Sequence, residues 1–196
     1  MADSSALGDV SKSLQNLLRS AITENADFLG VQIDLRSPKD IRRAGIAGPI
    51  VSLWLYRITR MDDLYNVPPV RIPPDRTLMR PLPLNLSYLV TPIATDMLTA
   101  HRLIGRAMQA LFDNAILDSA FLEPRLVDSG IKSLTIHMEP HSLEELTRIW
   151  HALQESYDLS NSYLVQFVPI TSRREQPAPA PVLTKTARYA DILEAG

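Results

Sequence analysis

His137, Glu139 and His141 stand close together in the chain, and His151 follows. Imidazole and carboxylate side chains are the groups that hold zinc or move protons. A metal reading would gather His137, Glu139 and His141 round one ion. The spacing opposes it, because the apolar residues Ile131, Leu134, Ile136 and Met138 put His137 on a strand. His141 lies past Pro140, so the two histidines share no helical face. The plainer reading makes them surface or capping residues. His101 stands alone near the start of a helix and reads as an ordinary polar residue. Asp62–Asp63 and Glu144–Glu145 are paired carboxylates, which elsewhere serve as acid and base or bind a cation. Here the first pair follows a strand and suits a turn, and the second sits in the first turn of a helix, where the dipole favours acids. Ser142 has no G-x-S-x-G context and is explained as a helix cap.

Other chemistries lack their residues. None of the seven glycines falls into a G-x-G-x-x-G or G-x-x-x-x-G-K-[ST] pattern. With no cysteine there is no disulfide, thiolate metal site or thiol nucleophile, a composition at home in a reducing cytoplasm. The basic pairs Arg42–Arg43 and Arg173–Arg174 lack the broad, aromatic-interleaved stripe that binds nucleic acid. Charge is nearly balanced, 20 Lys and Arg against 22 Asp and Glu, which argues against a general polyanion binder. No apolar run approaches the roughly 20 residues that span a bilayer. Met1 to Asp9 carry neither a basic n-region nor an apolar h-region, so no secretory signal is expected. These residues lead to the expectation of no catalytic, metal-binding or cofactor-binding site.

The elements that must position any site follow from periodicity. The chain's 196 residues suit one domain with tails. Val10, Leu14, Leu17, Leu18 and Ile22 have helical spacing over 9–24. Residues 28–36 alternate and predict a half-buried strand, and Pro38 opens a short helix to Ala44. Ile50 to Arg60 is the strongest strand signal and predicts a central strand covered on both faces. Residues 66–83 hold Pro68, Pro69, Pro73, Pro74, Pro81 and Pro83, which predicts an extended loop without a regular ladder. A strand over 84–91 follows, with Leu84, Leu86, Tyr88 and Val90 on one face and Pro92 as its stop. A helix over 95–113 is expected, capped by Thr95, with Leu98, Leu103, Ile104, Ala107, Met108, Leu111 and Phe112 as its apolar stripe. A strand over 131–138 is next. A helix over 142–153 follows, opened by the capping box Ser142/Glu145, with Leu143, Leu146, Ile149, Trp150 and Leu153 inward. The last strand spans 162–170 and carries Tyr163, Val165 and Phe167. Residues 171–196 read as a flexible proline-rich tail, with the spacer Gln176 to Pro181. The expected class is α/β, a single mixed sheet packed with helices.

Three blocks carry a resemblance. They are Val51 to Arg60 with Asn66 to Pro69, Leu82 to Pro92 with Ala100 to Gln109, and Leu134 to Pro140 with Ser142 to Leu153. In this order they resemble the N-terminal domain of tail cap, or tube-terminating, proteins of extracellular contractile injection systems. The systems are of the virulence-cassette and antifeeding-prophage type. The resemblance covers about residues 7–170. It implies a tail-terminator-like fold and a structural cap: a homo-hexameric ring that ends the inner tube and sheath at the membrane-distal end. It implies sheath and inner tube subunits as partners, no enzyme activity, no cofactor, no nucleic acid and no membrane insertion. Assembly would occur in the cytoplasm, as part of a phage tail-like particle that can be released.

Sheath subunits of such machines link through exchanged extended arms. An accessible strand edge would accept such an arm by strand addition. The expected contacts therefore lie in the proline loop, at Pro68, Pro69, Pro73 and Pro74, and on the last strand, at Tyr163, Val165 and Phe167. Two other functions compete: an adaptor that binds partners through the C-terminal tail, and a hydrolase built on His137, Glu139 or His141.

Overall fold

Two long apolar strands form the centre of the fold, and each helix lays one apolar stripe against them. A computed structural model of the chain describes residues 4–24, 28–62, 71–72, 76–78, 81–172 and 175–177. In chain order the elements are α1 (Ala6–Thr23), β1 (Gln32–Asp34), α2 (Pro38–Ala44), β2 (Ile50–Arg60), β3 (Arg71–Ile72), β4 (Arg76–Leu78), β5 (Leu82–Ile93), α3 (Met97–Asp113), β6 (Ile116–Asp118), α4 (Pro124–Asp128), β7 (Ser133–Glu139), α5 (Leu143–Ala152), β8 (Asn161–Ile170) and β9 (Glu175–Pro177). The main sheet has six strands in the order β1-β2-β5-β8-β7-β6. Only β1 and β2 run parallel, joined by the α2 crossover; the other pairs are antiparallel. A small sheet, β3-β4-β9, is separate.

The period of two sorts side chains onto the two faces. Leu86, Tyr88 and Val90 of β5 join Leu53, Ile136 and Val165 in the larger core, beneath α1 and α3. α1 supplies Val10, Leu14, Leu17, Leu18 and Ile22 to it. On the opposite face Leu89 packs with Trp150 and Leu153 of α5, flanked by Trp54, Tyr56, Leu146 and Ile149. Trp150 is fully buried; its indole N–H donates to Ser160 Oγ at 3.0 Å, and the Arg42 guanidinium lies over its ring. α2 begins at Ser37, whose hydroxyl accepts from the Asp40 amide, and ends at Gly45 in the left-handed conformation.

Several expectations change. β2 is covered on both faces only in its first half; Arg57 to Arg60 are exposed. The 66–83 stretch does carry a ladder: β3 and β4 pair within it, and β4 also pairs with β9. Prolines at 73–74 and 81 flank these strands, so the missing donors fall mostly between ladder positions. Pro92 lies inside β5, which runs to Ile93. Pairing of β5 with β8 ends at Val90, so the absent N–H of Pro92 breaks no bond on that side. Asp96 caps α3 in place of Thr95, accepting from the Thr99 amide at 2.8 Å. Leu98 and Phe112 leave the predicted stripe of α3 and are exposed, as is Leu143 of α5. β6 and α4 carry too few residues for a periodic signal.

Candidate assembly surface

The histidine–carboxylate cluster resolves into a clasp that fastens α5 to the sheet. A bulge in β2 falls between Leu55 and Arg57, and the extra residue is Tyr56. Its hydroxyl lies 2.9 Å from His141 Nε2 and 2.9 Å from Ser162 Oγ on β8. Ser162 Oγ donates to Glu139 Oε2 at 3.1 Å, and Arg57 Nη2 donates to Glu139 Oε1 at 2.6 Å. His141 also faces Glu139 Oε2 at 3.4 Å and, through Nδ1, Glu145 Oε2 at 3.6 Å. Burial pushes the Tyr56 phenol above its ordinary range, while its bond to Ser162 acts the other way. The capping box is complete: the Glu145 amide donates to Ser142 Oγ, and the Ser142 amide donates to Glu145 Oε2. Those Ser142 bonds hold the Glu145 carboxyl below its ordinary value.

His137 does not join this group. It is exposed on β7, and His151 and His101 are exposed on their helices. Among the described residues no three His, Cys, Asp or Glu side chains are placed to hold a metal ion. No helix among them is long and apolar enough to cross a membrane. What the clasp does is mechanical: Glu139 and His141 satisfy hydrogen-bonding groups of β2, β8 and α5, and so fix the helix over the second core.

The expected contact residues on β8 divide. Tyr163 and Val165 are buried in the larger core, so they cannot offer a surface. β8 itself is flanked by β5 and β7, so it has no free edge to accept an added strand. This corrects the placement of strand addition there, because a strand whose two ladders are filled cannot pair again. Phe167 is different. It lies in a β8 bulge, between the positions paired with Leu84 and Leu86, with φ of 64° and 43% exposure. A bulky residue with positive φ is strained and rare, and such strain concentrates at functional positions. Spacing alone could not show this, since the alternation of β8 is unbroken in the sequence up to the bulge. Pro68, Pro69, Pro73 and Pro74 lie outside the described residues. The residues that reasoning on sequence missed are Phe112 and Ile116, 81% and 65% exposed beside the edge strand β6.

The family model described as the Pvc16 N-terminal domain matches residues 9–184. Two solved structures are similar. One is the cryo-EM structure of an extracellular contractile injection system, the PVC sheath/tube terminator in the extended state, 22% identical with a TM-score of 0.61. It covers 94% of this chain, which spans 64% of its length. The other is the cryo-EM structure of the anti-feeding prophage cap, a tube terminating cap, 21% identical with a TM-score of 0.60. It covers 91% of this chain, which spans 60% of its length. No curated protein matches. Both likenesses are of fold. The family match runs past Ile170 and takes in β9, whose pairing with β4 ties it to the domain. With nearly its whole length matched, the chain belongs to the Pvc16 N-terminal domain family.

Proposed function

We propose that the chain is a structural cap that ends the inner tube and sheath of a contractile injection system, working by shape and without bond-making chemistry. The observation that supports this most is the shared fold with two tube-terminating proteins over more than nine-tenths of the chain. A filament end exposes a surface that would recruit a further subunit; a terminator must match it on one side and present a non-propagating surface on the other. A homo-hexamer suits the role, because a head-to-tail contact whose rotation closes gives a ring. The ring would assemble in the cytoplasm, with sheath and inner tube subunits as neighbours, and leave the cell with the particle. Phe167 is proposed as a contact to the filament end, together with the 66–83 segment that holds Pro68, Pro69, Pro73 and Pro74. An exposed aromatic held out by a strained bulge is a preorganised anchor, and proline-rich backbone loses little entropy on docking.

The test is deletion in the producing cell, followed by electron microscopy of the particles and their restoration by the full chain. Tubes and sheaths of irregular length with open ends are expected. Particles of normal length with closed ends, purified without the chain, would refute the cap.

A further inference from the structure

The two free edges of the main sheet differ in charge and share exposed apolar side chains. β1 and β6 are separated by five strand steps, about 24 Å, so they lie on opposite sides of the molecule. Neither edge is an open template for strand addition. At β1 the Gln32 amide donates inward to Pro49, so Ile33 turns its carbonyl outward, where Gln15 Nε2 donates to it at 2.7 Å. At β6 the Ala115 carbonyl is used inward by the Ile136 amide, which turns Ile116 outward. The next outward carbonyl, of Asp118, already accepts from the Phe121 and Leu122 amides. Each edge therefore offers side chains rather than a ladder.

Those side chains are complementary. Residues 28–49, which hold β1 and α2, carry Arg36, Lys39, Arg42 and Arg43 against Asp34 and Asp40. Residues 112–133, which hold β6 and α4, carry Asp113, Asp118, Glu123 and Asp128 against Arg125 and Lys132. The first edge is thus net positive and the second net negative by the same amount. Arg36 is matched to Asp34, and Arg42 to Glu155 and Asp158. Lys39 bonds only the neutral Gln154, and Arg43 is exposed, so these two keep their charge available. Asp113, Asp118 and Asp128 are exposed at the other edge. Apolar groups accompany the charges: Leu29, 73% exposed, precedes β1, while Phe112 and Ile116 flank β6. Large exposed apolar groups rimmed by charge mark a protein–protein contact.

We infer that the acidic β6 edge of one copy of this chain docks on the basic β1–α2 edge of the next. The contact is heterologous, because it joins two different edges, and repeating it yields a ring or a helix but no two-fold dimer. This inference rests on the proposed ring and names its surfaces. The experiment is light scattering on the full-length chain, at low and high salt, with variants whose folding is checked by circular dichroism. Lys39→Glu with Arg43→Glu makes both edges acidic, and Asp113→Lys with Asp128→Lys makes both basic. Each variant should lose self-association by about tenfold or more. Mixing the two should restore it, since every contact in an alternating array then joins opposite charges. Added salt should weaken the wild type. A wild type that associates while both variants associate equally well overturns these edges and leaves the cap reading standing. An edge used by another subunit of the particle would give that same result in solution. A wild type that stays single both in solution and on purified filament ends overturns the ring and this inference together.

Discussion

Tyr88 shows how one buried polar atom couples stability to pH. Its ring is fully buried on β5, and its hydroxyl lies 2.8 Å from Ser11 Oγ on α1. Burial raises the phenol from 10.0 to about 12, the Ser11 bond opposing it. A raised acid pKa stabilises the fold while the phenol is neutral in both states, below the unfolded value. That contribution is lost as pH rises from about 10 through about 12. Denaturant titrations across this range should show a fall in stability that Tyr88→Phe flattens. Phe167 makes the contrasting case. Release from positive φ in Phe167→Gly should offset the lost contacts of a half-exposed ring, leaving stability within about 1 kcal/mol of the wild type. Recovery on filament ends should fall in the same variant; unchanged recovery would remove Phe167 from the contact.

At the scale of elements, α5 depends on its ends as much as on its stripe. Only Trp150 of the helix itself is fully buried, so the capping box and the clasp carry much of its placement. Ser142→Ala should cost about 1 kcal/mol, measured by thermal or denaturant unfolding. Because the Glu145 carboxyl is held below its ordinary value, its contribution is present above the unfolded pKa and is lost as pH falls through the folded one. Glu145→Gln should therefore reduce the acid sensitivity of the fold. α5 was legible from Ser142, Glu145 and the Leu146–Ile149–Trp150 spacing because caps and stripes are local. Its clasp was not, since Tyr56, Glu139, His141 and Ser162 meet only when β2, β7 and β8 stand side by side.

For the whole molecule, the small β3-β4-β9 sheet shows that the domain does not end with β8. A chain ending at Ser172 loses the β9 pairing to β4, whereas one ending at Pro177 keeps it. The shorter chain should be less stable by about 1–3 kcal/mol, the worth of a few ladder hydrogen bonds. Equal stability of the two would make β9 an ornament of the fold. The edges behave similarly: β1 and β6 are short and capped, which guards against uncontrolled strand addition and leaves side chains to choose the neighbour.

Composition and local pattern alone determined the class, the long helices, the bounds of α2 and β2, and the family, because apolar spacing, caps and word-like blocks are properties of neighbouring residues. Tertiary structure decided which strand became an edge and which was enclosed. β8, expected at a surface, is walled in by β5 and β7, while Phe112, counted as core by its helical phase, faces solvent beside β6. Strand order is set by contacts between residues far apart in the chain, and periodicity carries no information about them.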